Sequence, residues 1–291
     1  MSAPAPPTDP RGSWDLPEPG SLPRTERLDE LVTRVLAPNP SPMTLDGTNT
    51  YVLGVPGSGE VLVVDPGPDD PGHLARVEAV VRERDAQVRS VVVTHHHLDH
   101  SEAAATWARR FGTDVAAARV ASSPASTLGE GDRVGLAGVD VEVVATPGHT
   151  LDHLSLRLGT GALLTGDHVL GRGTSVVAHP DGDLAAYLTS LRRVLELGPN
   201  ALYPGHGPAL TEDPSAVLRF YAEHREYRQQ QLLASLRDGP TTPGQLVARM
   251  YADVPEHLWS AAEASTRAAV DLLVARDRVR IVGDTVHLIT G

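Results

Sequence analysis

The run Thr94-His95-His96-His97-Leu98-Asp99-His100 gathers four imidazoles and a carboxylate directly behind the apolar triplet Val91-Val92-Val93. A short β-branched stretch ending in such a run reads as a buried strand whose carboxyl edge opens into a ligand-bearing loop. Neutral imidazole nitrogens and carboxylate oxygens suit zinc and its borderline neighbours, so the chemistry on offer is that of bound divalent metal. Three later segments repeat the pattern of apolar strand, tight turn and ligand. Residues 141–145 run into Thr146-Pro147-Gly148-His149, residues 162–165 into Gly166-Asp167-His168, and residues 201–203 into Pro204-Gly205-His206-Gly207. An earlier strand, 61–64, ends in Asp65-Pro66-Gly67 in the same style. Glycine and proline let the chain leave a sheet abruptly, and each turn can then aim one side chain at a shared point.

The elements that must position these turns alternate between strand and helix, as layered α/β structure requires. Residues 73–84 and 101–111 read as helices. The second follows His100 directly, so its positive end faces the ligands and favours an anionic substrate or an oxyanion. Beyond His206, residues 214–236, 243–251 and 255–275 read as helices, with a break at Asp238-Gly239-Pro240. Residues 279–282 and 285–288 form a hairpin across Gly283-Asp284. Helices followed by a hairpin predict a small winged-helix-like module, either a nucleic-acid binder or a packing or dimerisation cap. Arg276, Arg278 and Arg280 would share one face of an extended segment. They read either as phosphate contacts or as a solvated, charge-protected strand edge.

The ordered set His-x-His-x-Asp-His, Pro-Gly-His, Gly-Asp and Pro-Gly-His-Gly, spread over residues 43–208, resembles the metallo-β-lactamase superfamily of dinuclear hydrolases. The resemblance implies an αββα sandwich with the site at one edge of its two sheets. It assigns His95, His97 and His149 to a first metal, Asp99, His100 and His206 to a second, and Asp167 to a bridge between them. Asp99 and Asp167 would position a metal-bridging hydroxide for attack. The segment Pro42-Met43-Thr44-Leu45-Asp46-Gly47-Thr48-Asn49-Thr50-Tyr51, with Gly166-Asp167-His168-Val169-Leu170-Gly171, is similar to the subgroup of the mitochondrial β-lactamase-like endoribonuclease and the fungal polyketide thioesterases. His168 and the loop Ala178-His179-Pro180-Asp181-Gly182 depart from both prototypes. Only 48 residues separate His100 from His149, and 38 separate Asp167 from His206, so the large inserted domain of the nucleases that process messenger RNA ends has no room.

Composition bounds the remaining choices. The 291 residues, 41% of them hydrophobic, predict a disordered proline-rich tail over 1–24, a catalytic domain over 25–213, and a linking helix with the winged-helix-like domain over 214–291. The chain has no cysteine and no lysine, which excludes disulfides, thiol nucleophiles, cysteine ligands and Schiff-base chemistry. Neither a secretory signal nor a membrane-length apolar run is present, so a cytoplasmic protein is expected. A net charge of −12 counts against strong passive binding of nucleic acid, although two metals could neutralise a phosphate locally.

Of the other histidines, His96 should point away from the ligands. His153 should support them from the strand entry, His168 should face substrate or pack, and His224 should link the long helix to the active-site side. His73, His257 and His287 read as ordinary surface or core residues. The leading functional reading is an endoribonuclease on single-stranded RNA using two divalent ions, most simply zinc. The alternative is a thioesterase on acyl-carrier or small acyl thioesters, and a purely structural metal site comes third. A homodimer is compatible with each.

Overall fold

The computed structural model describes residues 5–118, 126–252 and 254–289. The first sheet contains β1 (Thr25–Arg27), β2 (Val32–Leu36), β3 (Asn49–Leu53) and β4 (Glu60–Val64), all antiparallel neighbours. After α1 (Pro71–Glu83), β5 (Gln87–Val93) joins parallel to β4. The ligand run then forms α2 (Leu98–Ser101), followed by α3 (Ala104–Phe111), and β6 (Asp114–Ala118) and β7 (Ser126–Leu128) complete seven strands in chain order. The second sheet holds β8 (Val141–Ala145), β9 (Leu154–Leu158) and β10 (Ala162–Gly166). Helix α4 (Leu184–Leu197) then returns the chain to β11 (Ala201–Pro204), parallel to β10.

Period-two alternation in the strands builds the sandwich. Leu62 and Val64 of β4 face the second sheet, meeting Val143, Leu156 and Leu164, while Val61 and Val63 face Val77, Val81 and Trp107 of α1 and α3. On the other side Val144, Leu163 and Leu202 meet Tyr187 and Leu191 of α4 and Val217 and Tyr221 of α5 (Pro214–Ser235). The result is the expected αββα layering. That outer core continues without a break into α6 (Pro243–Met250), α7 (Trp259–Ala275) and the hairpin β12 (Val279–Val282) and β13 (Thr285–Leu288). Thr241 bridges to Val286, adding a third extended segment to the wing. Asp253 and residues 290–291 of this module lie outside the described residues.

Three expectations are corrected. Residues 5–24 of the proline-rich tail, whose residues 1–4 lie outside the described residues, are not loose. Pro10–Ser13 form a short 3-10 turn, and buried Arg11 donates to the carbonyls of Leu170 at 2.8 Å and Gly173 at 2.6 Å. The helix expected over 101–111 is α3, which starts only at Ala104, and a separate helical turn, α2, precedes it from Leu98, because the His97 carbonyl accepts from the amides of His100 and Ser101. Asp99 and His100 therefore project from a helical turn rather than a loop. Finally, Arg276, Arg278 and Arg280 do not share an extended face. Arg276 ends α7, Asp277 takes a left-handed φ of 53°, and only Arg280 lies in a strand.

Candidate metal centre

The ends of β5, β8, β10 and β11 open on the same edge of the sandwich, and the seven expected ligands converge there. His97 Nδ1 lies 3.1 Å from both His95 Nε2 and His149 Nε2. His100 Nε2 lies 3.2 Å from His206 Nε2, which is 3.2 Å from Asp99 Oδ2. Asp167 stands between the two groups. Its Oδ1 is 3.4 Å from His100 Nε2 and 3.5 Å from His206 Nε2, and its Oδ2 is 3.7 Å from His149 Nε2.

Each imidazole is tied by its outer nitrogen, and that fixes where its inner nitrogen points. His95 Nδ1 bonds Thr94 Oγ1 at 3.0 Å, and His149 Nδ1 donates to the Val176 carbonyl at 2.6 Å. His97 Nε2 meets Asp181 at 3.1 Å, His100 Nδ1 meets Asp65 at 2.9 Å, and His206 Nδ1 donates to the Gly47 carbonyl at 3.2 Å. Five ring nitrogens with free lone pairs thus face inward, an arrangement that metal satisfies and neighbouring imidazoles cannot. Asp167 Oδ1 is buried without a hydrogen-bond partner among the described residues. The residues therefore fit divalent ions of the zinc type.

Electrostatics makes the same demand. Burial opposes charge on His100 and His206, yet Asp167, with Asp65 at His100 and Asp99 at His206, reverses this; His206 is raised to about 9 and His100 well above its ordinary value. Burial likewise opposes ionisation of Asp167, but His206 and His100 hold its carboxyl well below the carboxylate range. The buried carboxylates call for cationic charge, which metal supplies with the imidazoles neutral. His95, by contrast, is pushed well below its usual value by burial first and then by His100 and His149.

The supporting residues were only partly legible in the sequence. Asp65, on a turn noted for its likeness to the ligand turns, accepts from the Thr94 amide and hydroxyl, both at 2.8 Å, as well as from His100. Asp181 lies in the loop noted as departing from both prototypes, but its role became visible only when the fold brought that loop to His97. His153 supports the ligands as expected: its Nε2 accepts the Asp167 amide at 3.1 Å and its Nδ1 donates to Thr146. His96 points outward to Asp152 at 2.9 Å. His168 packs, 4.8 Å from the Tyr187 ring, with both ring nitrogens unpartnered among the described residues; burial first, then His149 and Arg225, lower it to about 3. His224 reaches the active-site side, in a 380 Å³ cleft shared by His149, Asp167 and the C-terminal module.

The sequence profile of the metallo-beta-lactamase superfamily matches residues 43–125 and 117–206, and that of the beta-lactamase associated winged helix domain matches residues 242–286. The chain is 32% identical to a "Beta-lactamase-like protein 2 homolog" of Drosophila melanogaster, across 89% of this chain and 93% of that protein. It is also 32% identical to an "Atrochrysone carboxyl ACP thioesterase" of Aspergillus chevalieri, across 88% and 85%. Among solved structures, a beta-lactamase domain protein from Burkholderia ambifaria superposes with a TM-score of 0.80 at 21% identity, covering 96% of each chain.

Proposed function

We propose that this chain, which belongs to the metallo-β-lactamase superfamily and is a hydrolase, cleaves the thioester bond of an acyl carrier or a small acyl thiol. The observation that carries this reading is the cleft over His149 and Asp167. Its walls include Met43, Leu45, Leu170, Val176, Val254 and Leu258. Leu98 and Leu151, which follow His97 and His149 within their own turns, are also exposed, at 72% and 62%. Apolar walls favour removing an acyl chain from water at about 25 cal/mol per Å². A single-stranded RNA would instead need an extended basic groove with aromatic faces free to stack on successive bases, whereas Tyr187 is fully buried and Tyr251 is already faced by Arg228. The thioesterase named among the relatives supports the same choice.

Two divalent ions, taken as zinc from the donor set, would be held by His95, His97 and His149 and by Asp99, His100 and His206, with Asp167 between. They would supply Lewis-acid polarisation of the thioester carbonyl and a more acidic water. The protein's own part is to orient and exclude. Asp65, Asp181 and the carbonyls of Val176 and Gly47 hold the ligands in one tautomer each. The apolar wall keeps bulk water from the acyl chain. Asp99, 32% exposed while Asp167 is nearly buried, is the carboxylate positioned to pass a proton to solvent.

A side-by-side assay of an acyl thioester and a fluorescent single-stranded RNA tests the reading. Thioester turnover should exceed RNA cleavage and disappear with chelator and in His97→Ala. RNA cutting far above thioester turnover, lost in the same variant, would replace thioesterase with endoribonuclease. Elemental analysis should find close to two ions per chain, and Asp167→Ala should lose metal and activity together.

A further inference from the structure

The cleft above the metal centre carries positive charge for which cleavage of a bare thioester has no use. Arg172, Arg225 and Arg228 all line it, and Asp167 is its sole carboxylate among the described residues. In a chain of net charge −12, this is a local reversal of sign. The guanidiniums are fixed by neighbours without being used up. Buried Arg225 donates to the Ser175 carbonyl and lies 5.1 Å from the Tyr187 ring centroid. Arg228 lies 4.2 Å from the Tyr251 ring centroid and donates Nη1 to the Met250 carbonyl at 2.7 Å. Arg172 is 3.5 Å from Asp46, and its Nη2 is buried without a partner among the described residues, as are the Nε atoms of Arg225 and Arg228. Stacked guanidiniums with donors to spare are preorganised for an oxyanion. His224 in the same wall stays neutral, lowered to about 3 by burial and then by Arg225 and Arg228, so it adds no competing charge.

We propose that this arginine wall binds the phosphate of a phosphopantetheine arm on the thiol side of the substrate, an assignment that rests on the thioesterase reading. Thioesters of coenzyme A and of acyl carrier proteins differ in most respects, but both carry a phosphate at the end of the pantetheine arm. The wall and the metal centre border one cleft, so a single substrate can engage both. A second groove, lined by Arg192, Arg276 and Arg278, also contains Glu223 and Glu226, which offset its charge. That groove serves as the control.

The metal-loaded protein is titrated calorimetrically with pantetheine and with 4′-phosphopantetheine, which differ only by the phosphate. In parallel, kcat/KM is measured for acetyl thioesters of both thiols, of coenzyme A and of an acyl carrier protein. The phosphorylated member of the pair should bind and react about tenfold better or more. Arg228→Gln and Arg172→Gln should each bring the ratio within about twofold, while Arg278→Gln keeps it. Two variants anchored on different neighbours guard against one that merely disturbs the α5–α6 packing. A higher rate for coenzyme A than for the carrier, with both above pantetheine, identifies small acyl thioesters as the phosphate source, and the reverse order identifies the carrier. Equal binding of the two pantetheines, or a phosphate preference untouched in both arginine variants, overturns the proposal while leaving the thioesterase reading standing if thioesters turn over. Failure to hydrolyse any thioester removes that reading, and the calorimetry still reports on the phosphate.

Discussion

At the scale of single residues, two buried groups outside the metal ligands carry testable weight. Asp65, 2% exposed and in a left-handed conformation with φ 50°, orients Thr94 and His100 at once. Asn tolerates that backbone but cannot hold the His100 N–H with a charge, so Asp65→Asn should weaken metal affinity about 10–100-fold in a chelator competition. His73 is fully buried, bonded to Thr50 at 2.8 Å and packed 5.3 Å from the Trp107 ring. Burial first, and then Arg76, lowers it from 6.5 to about 4. The unfolded chain therefore takes up this proton before the folded one. The contribution is fully present above about pH 6.5 and is lost as pH falls towards 4, amounting to about 3 kcal/mol. Urea unfolding of the metal-free protein across that window should show a shallower acid loss in His73→Gln than in the native chain.

At the scale of elements, the site depends on how closely β10 and β11 approach at their carboxyl ends. A Cβ on Gly205 would stand 2.5 Å from Asp167 Oδ1 and 2.7 Å from His100 Cε1. The Gly205 amide also donates to the Gly166 carbonyl at 2.8 Å, which holds the two turns together. Gly205→Ala should therefore displace the Asp167 carboxylate, reducing bound metal and activity, at about 1–3 kcal/mol of stability from overpacking. Elemental analysis beside circular dichroism separates this outcome from global unfolding. Gly148 plays the matching part on the other side: its φ is 145°, and a Cβ there would meet Tyr187 Cα at 2.3 Å. The turn that carries His149 is thereby packed against α4, an element absent from the sequence reading.

At the scale of the whole molecule, the N-terminal segment and the C-terminal module meet at the loop that follows Asp167. Arg11 clamps the Leu170 and Gly173 carbonyls and lies 5.6 Å from the Phe220 ring and 5.5 Å from the Tyr221 ring of α5. Tyr221 Oη accepts the Leu170 amide at 2.8 Å. Arg11→Ala should leave two carbonyls without their donor and lower stability by about 1–3 kcal/mol. Hydrogen exchange should show the loss concentrated at residues 170–173, and faster exchange spread evenly over the sheets would contradict the clamp.

The sequence by itself determined the candidate metal site, because each turn that feeds it is a local object: apolar strand, glycine or proline, then His or Asp. It also determined the hairpin and the helices of the C-terminal module, whose periodicity and turn residues are likewise local. Tertiary structure decided what depends on long-range contact. Asp181 reaches His97 across 84 residues and Arg11 reaches Leu170 across 159, separations over which side-chain pairing leaves no periodic trace. It also separated the three arginines near residue 278, because one left-handed residue breaks a register that alternation alone implies. The cleft is such a product too. Its walls come from five distant parts of the chain, and only their folding together sets apolar residues and arginines over one metal centre.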